Sequence, residues 1–466
     1  MTSEAILEQV RGAIEVLVTV SDRYDGLFPS LIDQDTHEMV TDLPPAIDGQ
    51  RVGDRSHLGC NLMHDHSLLK AMYALGYADA ADRYLKRFAT HCTDTPTGLF
   101  PWGEHSYWDL VSDRPENSYL LRGDGREPPL THDHLRQAPV WLWEKLRAFN
   151  PGCVERFAEG LNGHWTEGEP LEYIRHAYIA ESRPYARGNR SCDFPRHGGF
   201  YMLDWAFAYL MSGRTDFLGQ IRRMLDYWWE KRDDLGLCLI ESRSPETETQ
   251  FYGVNAVGQT LSLGVSLLEA SELLSDAAPD LAATMGERGR VYVGGFLNAP
   301  HDIENGVFVG SCKRGTGEIT APLVTWGSKY GRATPSAGPA LVALCGHRLT
   351  GDERLFNWSQ AAARAYLDTP LPEDVAVPAR DPGAGIGLLA DLYDLTGEER
   401  WLEGGLRLAG HVMAVYMDRK LPRGSSGTEV YESQLGPGNL LNSLARLALL
   451  AEDRAGCPLE PDYTSR

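Results

Sequence analysis

Four copies of one phrase constrain this chain more than anything else in it. LGYADAADRYLKRF starts at Leu75, SGRTDFLGQIRRML at Ser212, TGDERLFNWSQAAA at Thr350 and TGEERWLEGGLRLA at Thr396. Each holds a Gly, a polar pair, and then a helix with an aromatic or Leu near its start. The glycines are Gly76, Gly213, Gly351 and Gly397, so the last step is 46 residues and the two long steps, 137 and 138, are close to three times that. A period of this size is one helical hairpin. The segments before each phrase, such as GFYMLDWAFAYLMSG, are apolar over most of their surface and predict buried helices. Those after it are amphipathic. Each unit therefore reads as an inner helix, a Gly stop and an outer helix.

Inner helices are expected near 61–75, 131–149, 199–211, 253–273, 336–349, 384–396 and 436–451, with the N-terminal helix from about Ser3 completing the last pair. The fold expected is all-α: an (α/α) barrel, or toroid, of six or seven hairpins in a single domain over 1–466. Loops entering the inner helices then cluster on one face. They are long, at about 94–130, 176–198, 298–335, 369–383 and 419–437, and loops of that length are usually functional. Short strands are expected in GVFVGS and ITAPLV of the third.

Composition narrows the partners. With 42% apolar and 23% charged residues the chain is globular. A net charge of -21 opposes nucleic acid and anionic membrane. No apolar run reaches membrane length, and Glu4, Glu8 and Glu15 interrupt any signal-peptide pattern, so a cytoplasmic protein is expected. The eight Cys are scattered without a CxxC, which indicates neither a zinc ribbon nor a redox pair.

Histidine is unevenly placed, with ten of fourteen between His57 and His197. HDH occurs at 64–66 and again at 132–134. On a helix its outer residues lie about 200° apart, so each copy supplies at most one pocket residue. His134 would open the second inner helix and His197 the third. With Glu155, Glu144 or Glu104 they would form a two-His, one-carboxylate site for Mn, Fe, Zn or Ni. Taken singly, a histidine is more simply a cap or surface residue, and Glu155 a first-turn residue favoured by the helix dipole.

GLFPWGEHSYWDL, at 98–110, is the densest aromatic-polar segment. Trp102 and Trp108 could stack on sugar rings and Glu104 and His105 could bond hydroxyls; a packed plug is the plainer alternative. Trp326, Lys329 and Tyr330 have the same look. Arg175, Arg183, Arg187, Arg190 and Arg196 face only Glu181 and Asp193 in their stretch. That local excess is either solvated or a carboxylate pocket, with Arg187 among its candidate contacts.

The toroid, the WGEH motif, the inner-helix His and the Arg196–His197 pair resemble bacterial family 2 pectate lyases, mainly over residues 98–200. The resemblance implies β-elimination on uronic acid oligosaccharides. It implies Arg196 as the base and a divalent metal, Mn2+ first, on His134, Glu155 and His197. THDHLR departs from the family's helix start. Without metal, His105, His197 or Tyr201 could be the base. Two further enzyme readings stand beside this one. A glycoside hydrolase would draw a carboxylate pair from Glu104, Asp109, Asp193, Asp204 and Glu241. A sugar epimerase or isomerase would use His as acid and base. A toroidal binding protein is the reading without catalysis.

Overall fold

The computed structural model describes residues 1–464 except 124, 126–128, 135, 170, 187–192, 241–252 and 328–333. Among the described residues the chain forms fourteen α-helices. The expected inner helices are α2 (Leu62–Ala74), α4 (Val140–Phe149), α6 (Pro195–Ser212), α8 (Val257–Leu274), α10 (Ala337–Thr350), α12 (Arg380–Thr396) and α14 (Pro437–Glu452). Behind them lie α3 (Ala78–Arg87), α5 (Cys153–Gly160), α7 (Thr215–Trp229), α9 (Pro279–Leu297), α11 (Glu353–Asp368) and α13 (Glu399–Tyr416). The N-terminal α1 (Ser3–Ser21) packs on α14 as the seventh outer helix.

The ring closes because α14 packs on α2. Gly213, Gly351 and Gly397 end α6, α10 and α12 at φ of 71°, 70° and 69°, a backbone region that β-carbon sterics restrict. The repeated Gly is therefore a helix stop. The second unit departs from the expected pattern. Residues 131–134 and 136–139 are not helical; α4 starts only at Val140, after Pro139. Proline disfavours helical backbone in the residue before it, which keeps α4 from beginning earlier than Pro139. The shortened α4 still fills its place in the ring. Trp141 meets Tyr73 of α2 edge-on at 6.2 Å, and Trp143 Nε1 donates to Asp204 of α6 at 2.9 Å.

Short strands border the ends of the ring where the inner helices begin. β1 (Leu31–Asp33) pairs with β10 (Val430–Glu432). β2 (Gly59–Cys60), β3 (Ser106–Asp109) and β4 (Arg114–Asn117) form a second sheet. β5 (Thr131–His132) pairs with β6 (Ala177–Tyr178), and β7 (Val254–Ala256), β8 (Val309–Lys313) and β9 (Ile319–Pro322) form the last. These strand pairings are antiparallel. β8 and β9 fall where short strands were expected.

At the opposite end the C-terminal tail straps the ring. Ser67 of α2 donates to Asp462 at 2.5 Å, Tyr463 donates to Asp391 of α12 at 2.6 Å, and Arg446 of α14 donates to the Leu459 carbonyl at 3.0 Å. Among the described residues no helix is long and apolar enough to cross a membrane.

Candidate active site

The mouth is assembled from the segment before α2, the 98–122 loop, the β5–β6 ladder and the start of α6. Gly103 and Asn61 anchor the loop. Asn61 Nδ2 donates to the Gly103 carbonyl at 2.8 Å and its Oδ1 accepts the Gly103 N–H at 3.2 Å. That places Glu104 and His105 at the centre. Arg51 pairs with both Asp54 and Glu104, and Arg175 donates to Glu104 Oε2 at 3.2 Å. The Tyr119 hydroxyl and His105 Nε2 share a hydrogen bond at 2.9 Å.

The extended backbone at 131–134 decides which way the second HDH points. Side chains alternate in such a segment, so His132 and His134 share one face, their rings 5.1 Å apart, and Asp133 takes the other. β5 pairs His132 with Ala177, so the next step brings Asp133 across from His176. The ring of His176 lies 4.9 Å from that of His105. Asp133 Oδ1 accepts the Glu104 N–H at 2.9 Å.

Burial and neighbouring guanidinium groups set the charges. Burial raises the Asp54 carboxyl above the usual range against the pull of Arg51, and pushes Asp133 up to about 6. Burial, with Arg175 and Arg51 adding to it, drives His105 and His176 well below the ordinary imidazole value. Arg196 is drawn down to about 10, by burial first and then by Arg175. Its guanidinium lies 5.6 Å from the Phe194 ring, which Arg175 approaches at 5.0 Å from its own position. Arg196 Nε has no hydrogen-bond partner among the described residues.

Two further histidines stand at equivalent places. His64 is the third residue of α2 and His197 the third of α6. Both are buried, and neither ring nitrogen of either has a hydrogen-bond partner among the described residues. His64 is depressed by burial, then Arg136 and Arg380; His197 by burial, then Arg196 and Arg175. Both are neutral at pH 7.

The expected metal set does not form. Among the described residues, the groups of three whose ligand atoms all lie within 4.8 Å of one another are His105–Asp133–His176 and Asp54–Glu104–His105. His134 turns instead into an aromatic core, with Nε2 3.5 Å from Asp204 Oδ2 and its ring 5.4 Å from that of Trp102. Glu155 stands half-buried in the first turn of α5. The residues named for Mn2+ by the pectate lyase resemblance therefore do not fit an ion, because 131–134 is extended rather than helical.

Other expected contacts also move. Trp102 is fully buried among Phe88, Phe100, Trp143 and Phe157. Trp108, in β3, donates Nε1 to Asp113 at 3.0 Å. Both are packing residues of the plug kind. Trp326 packs edge-on against Tyr366 at 5.0 Å. Tyr201 is buried behind the mouth, its hydroxyl 3.2 Å from His164 Nε2. Of the described carboxylates considered for hydrolysis, Glu104 alone stands in the centre just described. Asp109 caps a turn by accepting from the Val111 and Ser112 N–H groups, Asp193 accepts from Tyr227, and Asp204 from Trp143. Arg187, Arg190, Glu241, Lys329 and Tyr330 lie outside the described residues.

No protein-family model matches the chain, and no curated protein matches it. Solved structures do. A sugar epimerase from a ruminal bacterium is 12% identical over 80% of this chain and 88% of that one, with a TM-score of 0.49. A D-mannose isomerase is 10% identical over 82% and 96%, TM-score 0.48. A family 76 glycoside hydrolase (mannosidase) from Bacteroides thetaiotaomicron is 14% identical over 96% and 99%, TM-score 0.42. These TM-scores lie below 0.5, so the chemistry is read from the site's own geometry.

Asp54 and Arg51 were missed, and His64, Asp133 and His176 were noticed only as members of the histidine cluster, without a role. Pro129 and Pro139 on either side of THDH were the available signal for an extended segment, and hence for Asp133.

Proposed function

We propose that the chain is a carbohydrate-active enzyme that moves a proton at a carbon beside a sugar carbonyl, as an isomerase or epimerase does. The observation that carries this reading is the pair His64 and His197. Each is a neutral imidazole in the first turn of an inner helix, with both nitrogens lacking a partner among the described residues. Buried polar atoms are seldom left unpaired without a functional reason. The alternation of donors and acceptors at Arg51, Glu104, Arg175 and Asp133 suits a polyhydroxylated substrate.

In this mechanism one imidazole, His197, takes the proton from the carbon next to the carbonyl. The C–H electron pair moves towards the carbonyl oxygen, giving an enediolate. The neighbouring Arg196 guanidinium holds that charge. The His197 imidazolium, whose proton exchanges with water, then protonates the former carbonyl carbon while the hydroxyl proton of the neighbouring carbon passes to the former carbonyl oxygen, giving the isomer. Delivery to the original carbon from the other side, by His64 in its protonated form, gives the epimer, and His197 gives up to water the proton it took.

A second reading has its own observation. Asp133 is pushed up to about 6, while Glu104 accepts from Arg51 and Arg175. An acid held above the usual carboxylate range beside a carboxylate gripped by cations is the arrangement of a glycoside hydrolase. The test is a panel of aldoses, ketoses and short oligosaccharides, with products separated by chromatography. Interconversion of isomers supports proton transfer. New reducing ends without isomerisation support hydrolysis and overturn it.

A further inference from the structure

We infer that His105, Asp133 and His176 form a binding site for one divalent transition-metal ion. Their ligand atoms all lie within 4.8 Å of one another, on two strand-anchored segments and one loop. This is a different set from the one the sequence suggested, and it goes beyond the proton-transfer reading.

The unpaired atoms point to a cation. Asp133 is 1% exposed and His105 is 0% exposed. Asp133 Oδ2, His105 Nδ1 and Asp54 Oδ1 are buried with no hydrogen-bond partner among the described residues. Asp54 Oδ1 is 3.6 Å from His105 Nδ1. Buried acceptors without a donor are costly. One positive ion satisfies several of them at once.

The surroundings already hold the would-be ligands in place. The Glu104 N–H fixes Asp133 through its other oxygen, and the Tyr119 hydroxyl engages His105 Nε2. Such outer hydrogen bonds orient metal ligands. Asp54 and Glu104 are paired with Arg51, and Glu104 also with Arg175. Asp133 makes no ion pair among the described residues.

Two imidazoles and one carboxylate suit Mn, Fe, Co, Ni or Zn rather than Ca or Mg. Three protein ligands leave coordination positions open for water or a substrate oxygen. Arg51, Arg175 and Arg196 crowd the same mouth, so an anionic oxygen is needed to balance the ion's charge.

The test is direct binding to the full chain after chelator treatment and dialysis. Mn2+ and Zn2+ are titrated separately by calorimetry, with metal content measured by elemental analysis. One ion per chain is expected. Asp133→Asn and His176→Gln should each weaken binding by about 100-fold or more, with unchanged circular dichroism. Glu155→Gln should bind as the wild type does. Absence of stoichiometric binding by the folded wild type would overturn the site. So would wild-type affinity in both Asp133→Asn and His176→Gln. Because binding is read without turnover, its failure leaves the proton-transfer reading to be judged on its own products.

Discussion

The carbonyl oxygen of Asp133 lies 2.1 Å from where a β-carbon of residue 103 would stand, and only glycine at 103 allows that approach. Gly103 also sits at φ 94°, where other residues are strained. Gly103→Ala therefore pushes the WGEH loop and the 131–134 segment apart. We expect a loss of about 2 kcal/mol or more in urea unfolding, and a fall in activity larger than stability explains. Unchanged stability and turnover would show that the two segments do not depend on this contact.

His197→Asn and His64→Asn each remove an imidazole that makes no hydrogen bond within the described residues. Neither should lower the melting temperature much. His197→Asn should lower kcat for either reaction by about 100-fold to 10,000-fold, the usual contribution of a general acid or base, and His64→Asn should do so for epimerisation. A steady-state assay of both variants checks this, and near-normal kcat in both would remove them from the chemistry.

Arg55 and Glu432 form a bidentate pair, 2.6 Å and 2.8 Å, with both side chains 1% exposed. The pair ties the entry to α2 to the entry to α14, where the ring closes. Glu432→Gln leaves Arg55 buried without its counter-charge, and about 3–5 kcal/mol of stability should be lost. Denaturant titration measures it. Replacing both residues with apolar ones of similar volume should recover part of the loss.

Acid should loosen the tail strap in two stages. Burial holds His66 down to about 4 while Asp462 is held down to about 2 by His66 and Lys70 against burial. Between the ordinary imidazole value and about pH 4, the unfolded chain takes up a proton that folded His66 refuses. Its contribution to stability therefore falls with pH, by about 1.4 kcal/mol per unit at most. Below about pH 4 the unfolded Asp462 is protonated first, so the stability it adds at neutral pH is lost as pH falls towards 2. Hydrogen exchange of residues 459–464 from pH 7 to pH 3 should show the tail opening early. In Asp462→Asn the tail should exchange faster at pH 7 and change less below pH 4.

The ring was legible because its signal is redundant. Gly213, Gly351 and Gly397 each stop a helix at the same backbone angle, and the apolar stretches before them can only be buried. The site was less legible because its residues come together through pairing between segments distant in sequence. Asp133 meets His176 through the β5–β6 ladder, forty-odd residues apart in the chain. Reading HDH with helical geometry sent attention to His134, whereas extended geometry turns His134 into the core and Asp133 into the mouth. Trp102 and Trp108 looked like sugar platforms by composition, but Phe100 and Phe157 pack around Trp102 and Asp113 accepts the Trp108 indole hydrogen.

The central claim is proton transfer at a sugar carbon, and solvent isotope incorporation tests it most directly. The protein is incubated in D2O with aldoses and ketoses, and the recovered sugars are analysed by NMR and mass spectrometry. The account predicts deuterium at the carbon beside the carbonyl in a substrate or its isomer, and none with His197→Asn. Sugar turnover by the wild type with no deuterium at that carbon, or with glycosidic cleavage alone, would contradict it.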